Sequence, residues 1–187
     1  QVLTARIHAV LRRRENYSRA SRIDTLTGLL NRQTLEREVE RELARIKRYP
    51  AQGSLVFLDI DGFKQVNDVY GHAAGDRALV QLAAALTNDI RSVDLVGRYG
   101  GEEFVLYFPE TPEAVGIRIV ERMMVTFQNL SHNEPSGPLT FSAGLAEAPR
   151  DGVEFAQLVE RADQAMYQAK RAGKARVLPW REAMATS

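Results

Sequence analysis

Val96-Gly97-Arg98-Tyr99-Gly100-Gly101-Glu102-Glu103-Phe104-Val105-Leu106 sets two glycines and two adjacent carboxylates between two short β-prone runs. The pattern predicts an antiparallel hairpin with an acidic tip. Glycine reaches the positive φ that a tight reversal uses and leaves room for a bulky ligand beside the main chain. Glu102 and Glu103 follow the turn and can face that ligand. Glycine turns with exposed acids are also ordinary hairpin ends, so the meaning of this one depends on what the rest of the chain supplies.

Working outward, Leu55 to Ile60 is a buried strand, Asp61-Gly62 a turn and Phe63 to Tyr70 a short helix, with a further helix from Asp76 to about Asn88. On the other side of the hairpin, Pro112 to Leu130 reads as a helix, Leu139 to Ala146 as a strand and Phe155 to Ala172 as a helix. Arg176-Val177-Leu178 follows as an edge strand. Ahead of the first strand, Thr34 to Arg48 is a helix with Thr34 as its expected N-cap and Leu35, Val39, Leu43 and Ile46 on one face. A hairpin inserted among alternating units implies an α/β (α+β) fold with a mixed central sheet flanked by helices, not a doubly wound parallel sheet.

Residues 1–22 form an expected amphipathic connector helix, residues 23–180 the folded domain and residues 181–187 a tail. Leu3 to Arg13 resembles the end of the last helix of a response-regulator receiver domain, which implies an upstream receiver or other sensory domain. The 25 basic residues nearly cancel the 24 acidic ones, so no global field argues for nucleic acid and any anion site must be built locally. With no cysteine, disulfides and thiolate metal sites are excluded. No apolar run is long enough to span a bilayer, and the expectation is a cytoplasmic protein without membrane contact.

Alternation in the first strand puts Val56, Leu58 and Ile60 on one face and Phe57, Asp59 and Asp61 on the other. Asp59 ends an apolar strand, where a carboxylate is expensive to bury without a cation. With Glu102 it offers the hard oxygens that Mg²⁺ prefers, and the Ile60 carbonyl can join them. Alternatively Asp59 caps the next helix; Asp61 reads as the first residue of an Asp-Gly turn. Lys64, Asn67, His72 and Asp76 follow where ligands of α/β sheets usually sit. Asn and Asp match the donors and acceptors of a guanine edge, and Lys64 suits a phosphate. Each of these four alone is an ordinary surface residue, and only their combination carries information.

That combination resembles the GGDEF family, the diguanylate cyclases, in a GGEEF form at Gly100 to Phe104. The likeness includes Asp24-x-Leu26-Thr27-Gly28-Leu29-x-Asn31-Arg32, Phe57-x-Asp59-Ile60-Asp61-x-Phe63-Lys64-x-x-Asn67-Asp68 and Gly71-His72-x-x-Gly75-Asp76. It continues in Arg98 to Phe104, Thr140-x-Ser142-x-Gly144 and Ala162-Asp163-x-Ala165-Met166-Tyr167-x-Ala169-Lys170, in family order from Asp24 to Leu178.

The resemblance implies a core similar to the adenylyl cyclase catalytic core and polymerase palms, joining two GTP into cyclic di-GMP with release of two pyrophosphates. By position, Asp59, the Ile60 carbonyl, Glu102 and Glu103 would hold Mg²⁺, or Mn²⁺ in its place. Glu102 would also accept the proton of the attacking hydroxyl. Asn67, His72 and Asp76 would hold guanine and ribose, Lys64 and Lys170 phosphates or the transition state, and Gly100 and Gly101 would make room for GTP.

One such domain holds one GTP, so catalysis would need a homodimer. Arg91 and Asp94 fall at the family's inhibitory product site, with Arg122 as a third contributor, so cyclic di-GMP is expected as an inhibitor too. Gly173-Lys174-Ala175 departs from the family's frequent Gly-Arg-Asn, losing a guanidinium fork and an amide. The alternatives are a catalytically silent receptor for GTP or cyclic di-GMP and a structural dimerisation module; the second leaves the clustered acids unexplained.

Overall fold

The computed structural model describes residues 22–185; the proposed connector helix falls almost entirely outside them. Within them six strands form one mixed sheet, in the order β1-β3-β4-β2-β5-β6. The strands are β1 (Leu30–Asn31), β2 (Gly53–Ile60), β3 (Leu95–Arg98), β4 (Glu103–Pro109), β5 (Phe141–Ala148) and β6 (Val177–Pro179). The outer pairs, β1 with β3 and β5 with β6, are parallel, while β3, β4, β2 and β5 run antiparallel in succession. The hairpin is therefore β3–β4, and its second strand docks against β2.

Helices cover both faces. Val56, Leu58 and Ile60 of β2, with Phe104, Leu106 and Phe108 of β4, pack under α3 (His72–Thr87) and α4 (Glu113–Ser131). Phe57, Val105 and Tyr107 point the other way, onto α1 (Arg32–Ile46) and α5 (Phe155–Arg171). All eight residues of β2 are buried, as expected for a central strand covered on both sides. A short α2 (Phe63–Tyr70) leads from β2 towards α3, its Phe63 and Val66 in the α3/α4 core.

The helix α5 comes unusually close to the sheet. It presents Ala162, Ala165 and Ala169, all fully buried, and meets β5 at Gly144. A Cβ on Gly144 would lie 1.9 Å from the Ala162 carbonyl oxygen and 2.4 Å from the Met166 nitrogen. Both are backbone atoms, so glycine is required here by contact distance.

Several boundaries differ from the sequence reading, which has β2 start at Leu55 and has no counterpart of β1. Helix α1 is capped by Asn31, whose side chain accepts from the Thr34 N–H at 2.9 Å, so Thr34 lies inside the helix and is buried. Both residue types cap well; the side chain that reaches the free amides belongs to Asn31. Helix α3 begins at His72, four residues before Asp76, and β5 is shifted to Phe141–Ala148. Residues assigned to a C-terminal tail form a last helix, α6 (Trp180–Ala185), with Ala183 fully buried and Arg181 paired to buried Asp151 at 2.6 Å.

Candidate active site

The candidate site is built where β2 ends. In the antiparallel register Asp59 stands opposite Glu103, and on its other side opposite Ser142 of β5. Partners in register share a face, so Asp59 and Glu103 project together towards α1 and α5. From α5, two helical turns apart, come Asp163 and Lys170. The Lys170 ammonium lies 2.9 Å from Asp59 Oδ1. That oxygen is buried, with the ammonium as its polar partner. Asp61 keeps its place in the turn and does more: it accepts from Thr140 Oγ1 and Ser142 Oγ, both at 2.7 Å, and from the Ala175 N–H at 3.1 Å. Lys174 and Ala175 both have positive φ, 63° and 48°, so this hydrogen bond holds a conformation that non-glycine residues rarely adopt.

Neither Gly100 nor Gly101 takes the positive φ expected of the hairpin. The loop closes instead through the Tyr99 and Gly100 N–H groups, which both donate to the Glu103 carbonyl, at 2.8 and 3.2 Å. Gly100 gives the Glu103 carboxylate its place: the carboxylate folds over it, 2.2 Å from where a Cβ would stand, so a larger residue would turn that side chain away. Gly101 is exposed with open space around it.

The tip is held by motif residues outside the expected ligand set. The Arg98 guanidinium donates to the Gly101 carbonyl at 2.7 Å and to Asp24 at 3.2 Å, so it fixes the peptide just before Glu102. Burial opposes ionisation of Asp24, but donors from Thr27 and Arg98 outweigh it and hold the carboxyl below its usual range. The Arg32 guanidinium lies over the Tyr99 ring at 4.1 Å. Asp163 belongs to the motif that ends at Lys170 and stands seven residues from it, on one helix face.

On the opposite side of the sheet, α2 and α3 bring Lys64, Asn67, His72 and Asp76 to the same end of β2. Asn67 is half-buried against Gly75, and the other three are exposed. Arg91 and Asp94 lie on the α3–β3 connection and are paired with each other at 3.0 Å. Arg91 also donates to the Pro109 carbonyl and Thr111 Oγ1. Arg122 reaches this connection through Asp89, at 3.3 Å.

The family model for "Diguanylate cyclase, GGDEF domain" matches residues 21–176. The chain belongs to the GGDEF family. This GGDEF domain is 40% identical over 155 residues to the diguanylate cyclase DgcP of Pseudomonas aeruginosa, covering 82% of the chain and 23% of that protein. It is 36% identical to the response regulator PleD of Caulobacter vibrioides, covering 81% of the chain and 34% of PleD. The chain thus spans well under half the length of these relatives. The crystal structure of the DgcB GGDEF domain from Caulobacter crescentus, in complex with c-di-GMP, superposes with a TM-score of 0.79 at 34% identity, covering 86% of this chain and 96% of that one. The active GGEEF domain of a Vibrio cholerae diguanylate cyclase gives a TM-score of 0.76 at 32% identity, covering 81% and 97%.

The electrostatics of the GGDEF site favour a cation. Burial raises the pKa of Asp59, Glu102, Glu103 and Asp163. Asp59's charge adds to the effect on Glu102 and Glu103, while Lys170 opposes it throughout. A buried Asp59 oxygen whose partner is one lysine ammonium, with glutamates beside it, is a hard-oxygen donor set that fits a divalent ion. Among the described residues no three of His, Cys, Asp or Glu form a ready-made ion cage. Such an ion would therefore need further oxygens, from the Ile60 carbonyl and a ligand.

Raised carboxyl pKa values weaken the fold as pH climbs: this stability is fully present below the unfolded-state values and is lost through the raised folded-state ones. Glu103→Gln removes the like charge opposite Asp59, so without metal at pH 7 it should raise the melting temperature by roughly 2–4 °C, for about 1 kcal/mol relieved. The difference should vanish below about pH 4, where both proteins are uncharged at this position. Melting curves across that range check both parts.

Proposed function

We propose that this domain is a diguanylate cyclase, joining two GTP into cyclic di-GMP and releasing two pyrophosphates. The observation that carries the reading is the buried Asp59 carboxylate opposite Glu103, at the foot of a tip that Arg98 pins beside Glu102. Each 3′-hydroxyl attacks the α-phosphorus of the other GTP. A phosphodiester bond forms, the α–β phosphoanhydride breaks, and pyrophosphate leaves. Glu102 would accept the hydroxyl proton. Asp59, Glu102, Glu103 and the Ile60 carbonyl would hold Mg²⁺, or Mn²⁺, which supplies charge screening at the α-phosphate and the leaving group.

Asn67, His72 and Asp76 bind guanine and ribose, with Lys64 and Lys170 on the phosphates. Two domains must face each other because each contributes one nucleotide, and an N-terminal input domain would set how often they meet by raising their effective concentration. GTP as substrate places the reaction in the cytoplasm. Among the described residues no helix is long and apolar enough to cross a membrane.

Purified protein given GTP and Mg²⁺ should form cyclic di-GMP, seen by mass spectrometry, at a rate per domain that rises with protein concentration. GTP binding without turnover, even in a covalently joined dimer, would instead make the domain a receptor.

Product inhibition is the finer part of the proposal. Arg91 can fork onto guanine or phosphate and Asp94 can accept from guanine N1 and N2, once they release each other. Arg122 would contribute from α4. Arg91→Ala should reduce inhibition by added cyclic di-GMP by about tenfold or more, with turnover in its absence retained. Unchanged product sensitivity would remove the site from the scheme.

A further inference from the structure

Lys170 stands where its charge does two incompatible jobs. Its ammonium lies 2.9 Å from Asp59 Oδ1, and Asp59's side chain is only 11% exposed. Its charge also acts on Glu102, Glu103 and Asp163. One ammonium is thus paired with Asp59 while its charge is felt by three further carboxylates, Glu103 also feeling Arg32. A divalent ion on Asp59 would stand about 2.1 Å from its oxygen. Two cations sharing that oxygen would lie within a few ångströms of each other and repel strongly in a partly buried site.

The geometry also allows the ammonium to leave. Lys170 sits in the last turn of α5 and its side chain is 32% exposed, so the ammonium has solvent to turn into. A lysine is a point charge on a flexible four-carbon stem, unlike the fixed fork of an arginine.

We propose that Lys170 is an exchangeable counter-cation: it neutralises Asp59 until a divalent ion takes that place, and the displaced ammonium then turns to the triphosphate. The inference rests on the cyclase reading of the site and adds a coupling to it. Bare metal must displace Lys170 into solvent, whereas metal arriving with a nucleotide brings phosphates that receive it. The domain thus discriminates against metal without nucleotide, and Lys170 acts as a positioning residue before it acts on substrate.

The test measures metal binding without GTP. Mn²⁺ titration of the purified protein, followed by the electron paramagnetic resonance of free Mn²⁺, should show Lys170→Met binding about tenfold tighter than the unaltered protein. Lys170→Arg, which keeps a cation, should stay near the unaltered value. In the absence of metal K170M should melt at a lower temperature, and Mn²⁺ should raise its melting temperature more than that of the unaltered protein. Lys170→Gln serves if the methionine variant fails to fold. Equal or weaker Mn²⁺ binding by K170M and K170Q overturns the exchange. Adding Asp59→Asn to K170M should abolish Mn²⁺ binding. If instead that double variant binds as tightly as K170M, Asp59 is not a metal ligand and the reading of the active site fails with it. A lost exchange alongside an intact Asp59 effect would overturn the exchange alone.

Discussion

Replacing Glu102 with glutamine should lower cyclic di-GMP formation by about a thousandfold or more while leaving the domain folded. The change keeps the side chain's length and hydrogen-bonding reach but removes both its negative charge and its capacity to take a proton. Glu102 lies in the Tyr99–Glu102 loop, outside the β4 ladder, so no sheet hydrogen bond depends on its side chain. The loop's closure by Tyr99 and Gly100 onto the Glu103 carbonyl, and its anchoring through Arg98, use backbone atoms that the substitution leaves alone. GTP binding through α2 and α3 should persist, so equilibrium nucleotide binding combined with product analysis separates lost chemistry from lost binding. Turnover within tenfold of the unaltered protein would exclude Glu102 as the proton acceptor.

The second large effect is on stability and comes from the far end of the α5 contact. Gly144→Ala should destabilise the domain by about 3 kcal/mol, at the upper end of ordinary overpacking, because the added methyl meets backbone atoms that cannot rotate away. At roughly 2–4 °C per kcal/mol for a domain of this size, the melting temperature should fall by roughly 6–12 °C. Relief requires α5 to lift from β5, and α5 carries Asp163 and Lys170 to the site, so Mn²⁺ affinity should change along with stability. A melting temperature within 2 °C of the unaltered protein, on the order of less than 1 kcal/mol, would show that the helix can shift at little cost.

Much of this molecule is legible without a structure because its signals are local. Alternation in Leu55 to Ile60 separated the two faces of β2 correctly, with Asp59 on the side opposite Leu58 and Ile60. The bounds expected for Phe63 to Tyr70 are those observed. The glycine pair does mark a hairpin, but neither glycine takes the positive φ expected there; Gly100 instead has the Glu103 carboxylate lying over it. That contact depends on where a side chain goes after the strand has paired, which no turn propensity encodes.

The sequence by itself determined most of the elements, the hairpin and the ordered set of motifs, because each depends on spacing along the chain and on a residue's own backbone preferences; β1 and α6 lay beyond it. Tertiary structure decided which strand the hairpin joins. With β4 docked on β2, Asp59 faces Glu103 directly, and Glu102 is left on the loop beyond the ladder. Packing of α5 across β5 then brings Lys170 to Asp59 over a separation of 111 positions (170 − 59), and Arg98 joins Asp24 to the tip over 74. Such pairings follow from burying both faces of one sheet at once, so the charges that make the site reactive are set by the packing of the whole domain.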